Sequence, residues 1–187
     1  MHQEGPDNFN LAKDISSGFV DVDARRILKG PELSRYIERE GQSVFRIAHA
    51  YWQSLYDASG RVSRKQLDPI ELGPNVLPKV VLIDVVGDAP RRFRYRLVGS
   101  DAERIYGENY TGRFMDEMRF ASSMKAIQQF YGTACNGSAP ILLEGAYITR
   151  ISSQFRVVRL AMPLSEESGL VTGLFCLMTK LDNSPSA

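Results

Sequence analysis

The stretch VVLIDVVGDAPRRFRYRLVG, residues 80–99, decides the fold. Its first half, Val80–Val86, is rich in β-branched residues, which suit a pleated backbone, and it stops at the turn formers Gly87 and Asp88. The second half alternates. Phe93, Tyr95 and Leu97 fall on one side and Arg94 and Arg96 on the other, until Gly99 ends the run. Two such runs around a short turn containing Pro90 predict an antiparallel hairpin.

Helical signals follow the hairpin. Ser100 or Asp101 can cap a short helix through Tyr106, which Gly107 stops. Thr111-Gly112-Arg113 reads as a tight turn, and Phe114 and Met115 open another short helical piece. A longer helix is predicted over residues 120–133. It carries Met124, Ile127, Gln128 and Tyr131 in one row, has Phe120 and Phe130 beside them, and ends at Asn136-Gly137. Three β-rich runs close the chain, at residues 140–149, 155–163 and 170–180, with turns at Ser152-Ser153 and residues 166–169. The order strand, strand, short helices, strand, strand, strand predicts an α+β domain. Its core is a five-stranded antiparallel sheet with the helices inserted between strands two and three.

Working outward toward the N-terminus, residues 61–78 read as a loop punctuated by Pro69, Pro74 and Pro78. Before it, residues 43–58 form the clearest helix. Val44, Ile47, Ala48, Tyr51 and Leu55 make an apolar stripe, which Phe45 and Trp52 widen. A helix of about four turns is marginal alone, so the stripe must bury against the following domain or a second copy of the chain. Pro31 suits the first turn of a helix over residues 32–40. Residues 1–30 read as a loose arm with one short helix around residues 21–29. The expected division is an N-terminal arm and helical extension over 1–60 and the sheet domain over 61–187.

Bulk properties fit one domain plus an extension. The chain has 187 residues, 43% hydrophobic and 10% aromatic, which is enough to build a core without metal or disulfide. Twenty-three basic and 22 acidic residues leave a net charge of +1, too little to steer nucleic acid or an anionic membrane to the protein. The opening MHQEGPDNFN has no apolar core, and the longest apolar runs are about ten residues, short of a bilayer. A cytoplasmic location is therefore expected. Cys135 and Cys176 belong to no metal-binding spacing and read as reduced structural thiols.

The residues also suggest a family. Leu67-Asp68-Pro69, Leu77-Pro78-Lys79-Val80, Arg94-Tyr95-Arg96-Leu97-Val98-Gly99 and Thr111-Gly112-Arg113 follow one another in a "DP…LP…RYRLVG…TGR" order. Val157 to Pro163, followed by Leu164, resembles the matching fourth strand. This pattern resembles a family of bacterial, mainly alphaproteobacterial, stand-alone PAS-domain proteins, over about residues 52–181. The resemblance implies the PAS fold and a sensory or scaffolding role.

Chemistry is sparse. The short-helix region, residues 100–112, holds no cysteine for flavin photochemistry, and the two histidines, His2 and His49, both precede the sheet, which disfavours an axial haem ligand. With one usable histidine and no GxSxG, GxxxxGK[ST] or GxGxxG motif, the chain is read as a non-enzyme. In PAS folds the helices cup over one sheet face, and small molecules bind in that concavity. By that analogy the pocket candidates are Tyr95, Leu97, Ser100, Tyr106, Tyr110, Phe114, Phe130, Tyr131, Tyr147, Leu160 and Phe175; the same aromatics could simply fill a core. Arg94 and Arg96 could bind an anion, or else face solvent or pair with carboxylates such as Glu144, and Arg156 and Arg159 could join that patch. Three readings stay open. One is a sensory or adaptor protein, with a homodimer through the N-terminal helix and exposed sheet face and a protein partner. Another is a receptor with a dedicated small-molecule ligand. The third is an enzyme on a similar cone-shaped α+β fold.

Overall fold

A computed structural model describes residues 19–40, 42–88, 90–118, 125–149 and 154–181. Phe120, Met124 and the Ser152-Ser153 turn lie outside the described residues. The hairpin comes out as read, with β2 at Val80–Val86 and β3 at Arg92–Val98. Three later strands follow, β4 at Ile141–Thr149, β5 at Gln154–Ser165 and β6 at Val171–Leu181. The inserted helices are α3 at Ser100–Tyr106 and α4 at Lys125–Cys135.

The sheet has six strands rather than five. Phe19–Lys29 forms an extra strand, β1, where a loose arm and a short helix were expected. It pairs antiparallel with β4 through two register shifts. Its charged, irregular sequence suits an edge strand, where charges and bulges discourage further pairing. The strand order is β1-β4-β5-β6-β2-β3, and every neighbouring pair is antiparallel. Without β1 the order is β3-β2-β6-β5-β4, so the chain's last strand lies beside the first strand of the hairpin.

Both faces of the sheet are covered. On the outer face lie α1 (Gly30–Arg35), a π-helical turn (Tyr36–Glu40) and α2 (Ser43–Ser54). Phe45, Ala48 and Trp52 of α2 are fully buried against Val158, Leu160, Met162, Phe175 and Leu177. The Trp52 indole N–H donates to the Pro163 carbonyl at 3.0 Å. The α2 stripe is therefore centred on Phe45 and Trp52. Val44 and Ala48 share in it, Tyr51 and Leu55 lie at its margin, and Ile47 is 47% exposed. The sheet face expected to be free for a second copy is occupied by this helix.

On the inner face, α3 and α4 pack with β2–β6 in a second core. Two glycines fix how α3 leaves the hairpin. A Cβ on Gly99 would sit 2.4 Å from the Pro78 carbonyl oxygen, so only glycine lets the end of β3 meet the 3₁₀ turn Leu77–Lys79. Gly107 ends α3 in the left-handed region, at φ 82°. The Thr111–Arg113 turn then runs along the free edge of β3. Tyr95 N–H donates to the Arg113 carbonyl at 2.9 Å, and Gly112 N–H donates back to Tyr95 at 2.6 Å. That edge is thereby closed to further pairing.

Candidate functional site

The centre of the inner face is polar. Along β5, Phe155, Val157 and Ala161 turn inward among apolar neighbours, and Arg159 sits between them, 2% exposed. Its register partners are Leu143 on β4 and Met178 on β6. Arg159 Nη1 donates to the Tyr131 hydroxyl from α4 at 2.5 Å. Nη2 donates to the Tyr147 hydroxyl from β4 at 2.6 Å and approaches the Met178 thioether at 2.8 Å. The guanidinium carbon lies 5.7 Å from the Tyr106 ring and 5.5 Å from the Tyr131 ring, within cation–π range. Tyr95 donates to the Tyr106 hydroxyl at 3.1 Å, and Tyr110 packs edge-on to Tyr106. Arg159 Nε is buried and has no hydrogen-bond partner among the described residues.

This cation differs from the other buried charges. Asp84 is matched across the hairpin by Arg94 at 2.8 Å and from the loop by Arg64 at 2.7 Å. Glu144 is matched by Arg156. Among the described residues, no carboxylate pairs with Arg159. Desolvation opposes its charge, but the surrounding phenols, Tyr106 first, outweigh that and hold its pKa above the ordinary value. Burial pushes the Tyr95 and Tyr131 hydroxyls well above their usual range, and the Tyr147 hydroxyl up to about 12. At neutral pH the tyrosines are therefore uncharged, and the site carries a net positive charge sealed from water. Burial also lifts the nearby Cys176 thiol to about 12, so it is inert at neutral pH.

Six pocket candidates thus meet on the inner face: Tyr95, Tyr106, Tyr110, Phe130, Tyr131 and Tyr147. The other five lie elsewhere. Leu160 and Phe175 belong to the outer core, beneath α2. Leu97 also turns outward, because β3 carries one extra residue, Arg96, between the pairs Leu82–Leu97 and Ile83–Tyr95. Ser100 is exposed at the start of α3, and Phe114 is half-buried beneath Arg92, whose guanidinium lies 3.8 Å from its ring. Arg94 and Arg96 do not form one anion site. Arg94 is committed to Asp84, and Arg96 is exposed at the bulge, lining an outer groove of about 580 Å³ with Ile70 and Leu97. Arg159 is not part of a surface patch at all; along β5 it points inward with Phe155 and Val157.

Other titratable groups lie apart from this cluster. His49 stacks near Trp52 with ring centroids 6.3 Å apart, and burial lowers its pKa. Asp116 is held below its ordinary value by its bidentate pair with Arg92. Among the described residues, no three His, Cys, Asp or Glu side chains gather as a metal site, and no helix is long and apolar enough to cross a membrane.

No family model matches the sequence, and no curated protein does. Among solved structures, an RNA-binding light-oxygen-voltage receptor resembles the chain at 10% identity and a TM-score of 0.41. The likeness covers 85% of this chain and 37% of that protein.

Proposed function

We propose that this protein is a PAS-type sensory module that acts by binding rather than catalysis, and that its input is a small molecule received on the inner face of the sheet. The β3-β2-β6-β5-β4 order, with α3 and α4 inserted after the hairpin, supports the PAS reading. The observation that carries the ligand reading is the buried Arg159 with its ring of tyrosine hydroxyls beneath those two helices. A core that only needed to be stable would be better served there by an apolar side chain, since burying an ion costs several kcal/mol. The adaptor reading, with a homodimer through α2, is weaker, because α2 spends its apolar face on its own sheet.

Hydrogen exchange tests this proposal. The protein would be screened against a panel of small metabolites, and amide exchange followed in α3 and α4. A ligand at this site slows exchange in those helices and raises the melting temperature by mass action. If no member of a broad panel alters either, the receptor reading fails.

A further inference from the structure

We propose that the inner-face site takes a small organic monocarboxylate, held side-on by the Nε–Nη2 edge of Arg159. This inference rests on the ligand-binding reading and specifies its chemistry.

Among the described residues no carboxylate opposes the buried Arg159, so the site they form lacks one negative charge. A monoanion neutralises it, whereas a phosphate dianion would leave the interior with an excess charge of the other sign. The donor argument agrees. The side-on edge of a guanidinium, formed by Nε and Nη2, presents two parallel N–H groups that match the two oxygens of a carboxylate. Among the described residues Nε has no acceptor, and Nη2 spends one of its contacts on the thioether of Met178, a weak acceptor. A carboxylate at this edge satisfies the first and replaces the second. The Nη1 bond to Tyr131 is left intact, so the guanidinium stays oriented while it binds.

The surroundings define the rest of the molecule. Phe130, Tyr131, Tyr147, Phe155 and Tyr106 enclose the site with ring faces and edges, so the body behind the carboxylate is apolar or aromatic. Tyr106 and Tyr95 add hydroxyls that could meet a single polar substituent. These side chains are in mutual contact, so binding requires them to move apart.

The test uses the full-length protein and pairs of probes that differ only in charge. Benzoate, 4-hydroxybenzoate and octanoate are each compared with the corresponding amide. We expect at least one carboxylate to raise the melting temperature saturably, by about 5 °C or more at a hundredfold excess over its Kd, with its amide inert. In wild-type protein carrying ¹⁵N-arginine, the Arg159 Nε–Hε resonance, assigned by its absence in Arg159→Lys, should shift during the same titration. Arg159→Met should abolish the thermal response. Equal responses to acid and amide would overturn the carboxylate assignment and leave the receptor reading standing. A carboxylate response that persists in Arg159→Met, or that leaves the Arg159 resonance unmoved, would place the binding elsewhere and overturn the proposal. No response to any acid or amide would overturn it as well, and a positive result in the wider metabolite screen would then show that the receptor reading survives.

Discussion

The two faces of one sheet are built to different rules. The outer face is apolar beneath α2, and its buried carboxylates, Asp84 and Glu144, are each matched by arginine. Leu142, Val158, Leu160, Met162, Phe175 and Leu177 meet Phe45, Ala48 and Trp52, and the Trp52 N–H finds a backbone carbonyl. The inner face carries a buried cation, a ring of tyrosine hydroxyls and an N–H at its centre that no described residue satisfies. The same strands supply both, residue by alternate residue, so neither strand propensity nor burial explains the difference. An ion in a dry interior opposes stability, whereas the apolar packing opposite supplies it. We propose that the outer face holds the domain together and that the inner face serves ligand binding.

The largest break in this comparison should come from the outer face. Trp52→Ala removes a fully buried indole and its hydrogen bond, and should cost about 3–5 kcal/mol in denaturant unfolding. Leu160→Ala should cost about 2–5 kcal/mol by the same measurement, and neither change should alter the ligand preferences of the inner face.

Alkaline pH probes the inner face next. Cys176 ionises near 9.0 in ordinary surroundings and about 12 in the fold, and Tyr147 near 10.0 and about 12. The unfolded chain therefore loses these protons first as pH rises. Their contribution is complete below about pH 9 and is lost upward toward pH 12, at roughly 1–3 kcal/mol per pH unit where both act. Equilibrium unfolding across that range should show the decline. Tyr147→Phe should remove the Tyr147 share of it.

A smaller effect is expected when the hydroxyls are removed. Tyr131→Phe and Tyr147→Phe each deprive the buried guanidinium of an acceptor, and each should cost about 1–3 kcal/mol by denaturant titration. A loss much below that range would mean that Arg159 finds another acceptor without strain.

Most of the sheet was legible because its strands carry turn residues at their ends. Gly87-Asp88, Gly99, Asn136-Gly137 and residues 166–169 bracket β2 to β6 closely. β1 was not legible, since Asp21, Asp23, Arg25 and Arg26 break any alternation, and only its pairing with β4 makes it a strand. Six of the eleven pocket candidates, aromatic residues of the hairpin, the inserted helices and β4, gather on the inner face. Leu97, Leu160 and Phe175 lie on the other face for two reasons. The extra residue Arg96 reverses the facing of Leu97 relative to Tyr95, which alternation cannot anticipate. In β5 and β6 both alternating sets are apolar, so the sequence does not say which face Leu160 or Phe175 joins. For the same reason Arg159 reads as one more surface arginine. Only the placement of α2 on one face and α4 on the other shows that it points inward.

Whether Arg159 serves stability or binding is decided by the unfolding free energy of Arg159→Met. Methionine fills similar volume without charge. The account predicts that this variant is as stable as the unliganded wild type or more so, by up to about 4 kcal/mol, as when a buried ion gives way to a hydrophobe. A loss of about 3 kcal/mol or more would show that the arginine and its tyrosines are a structural strut, and would contradict the division of labour between the two faces.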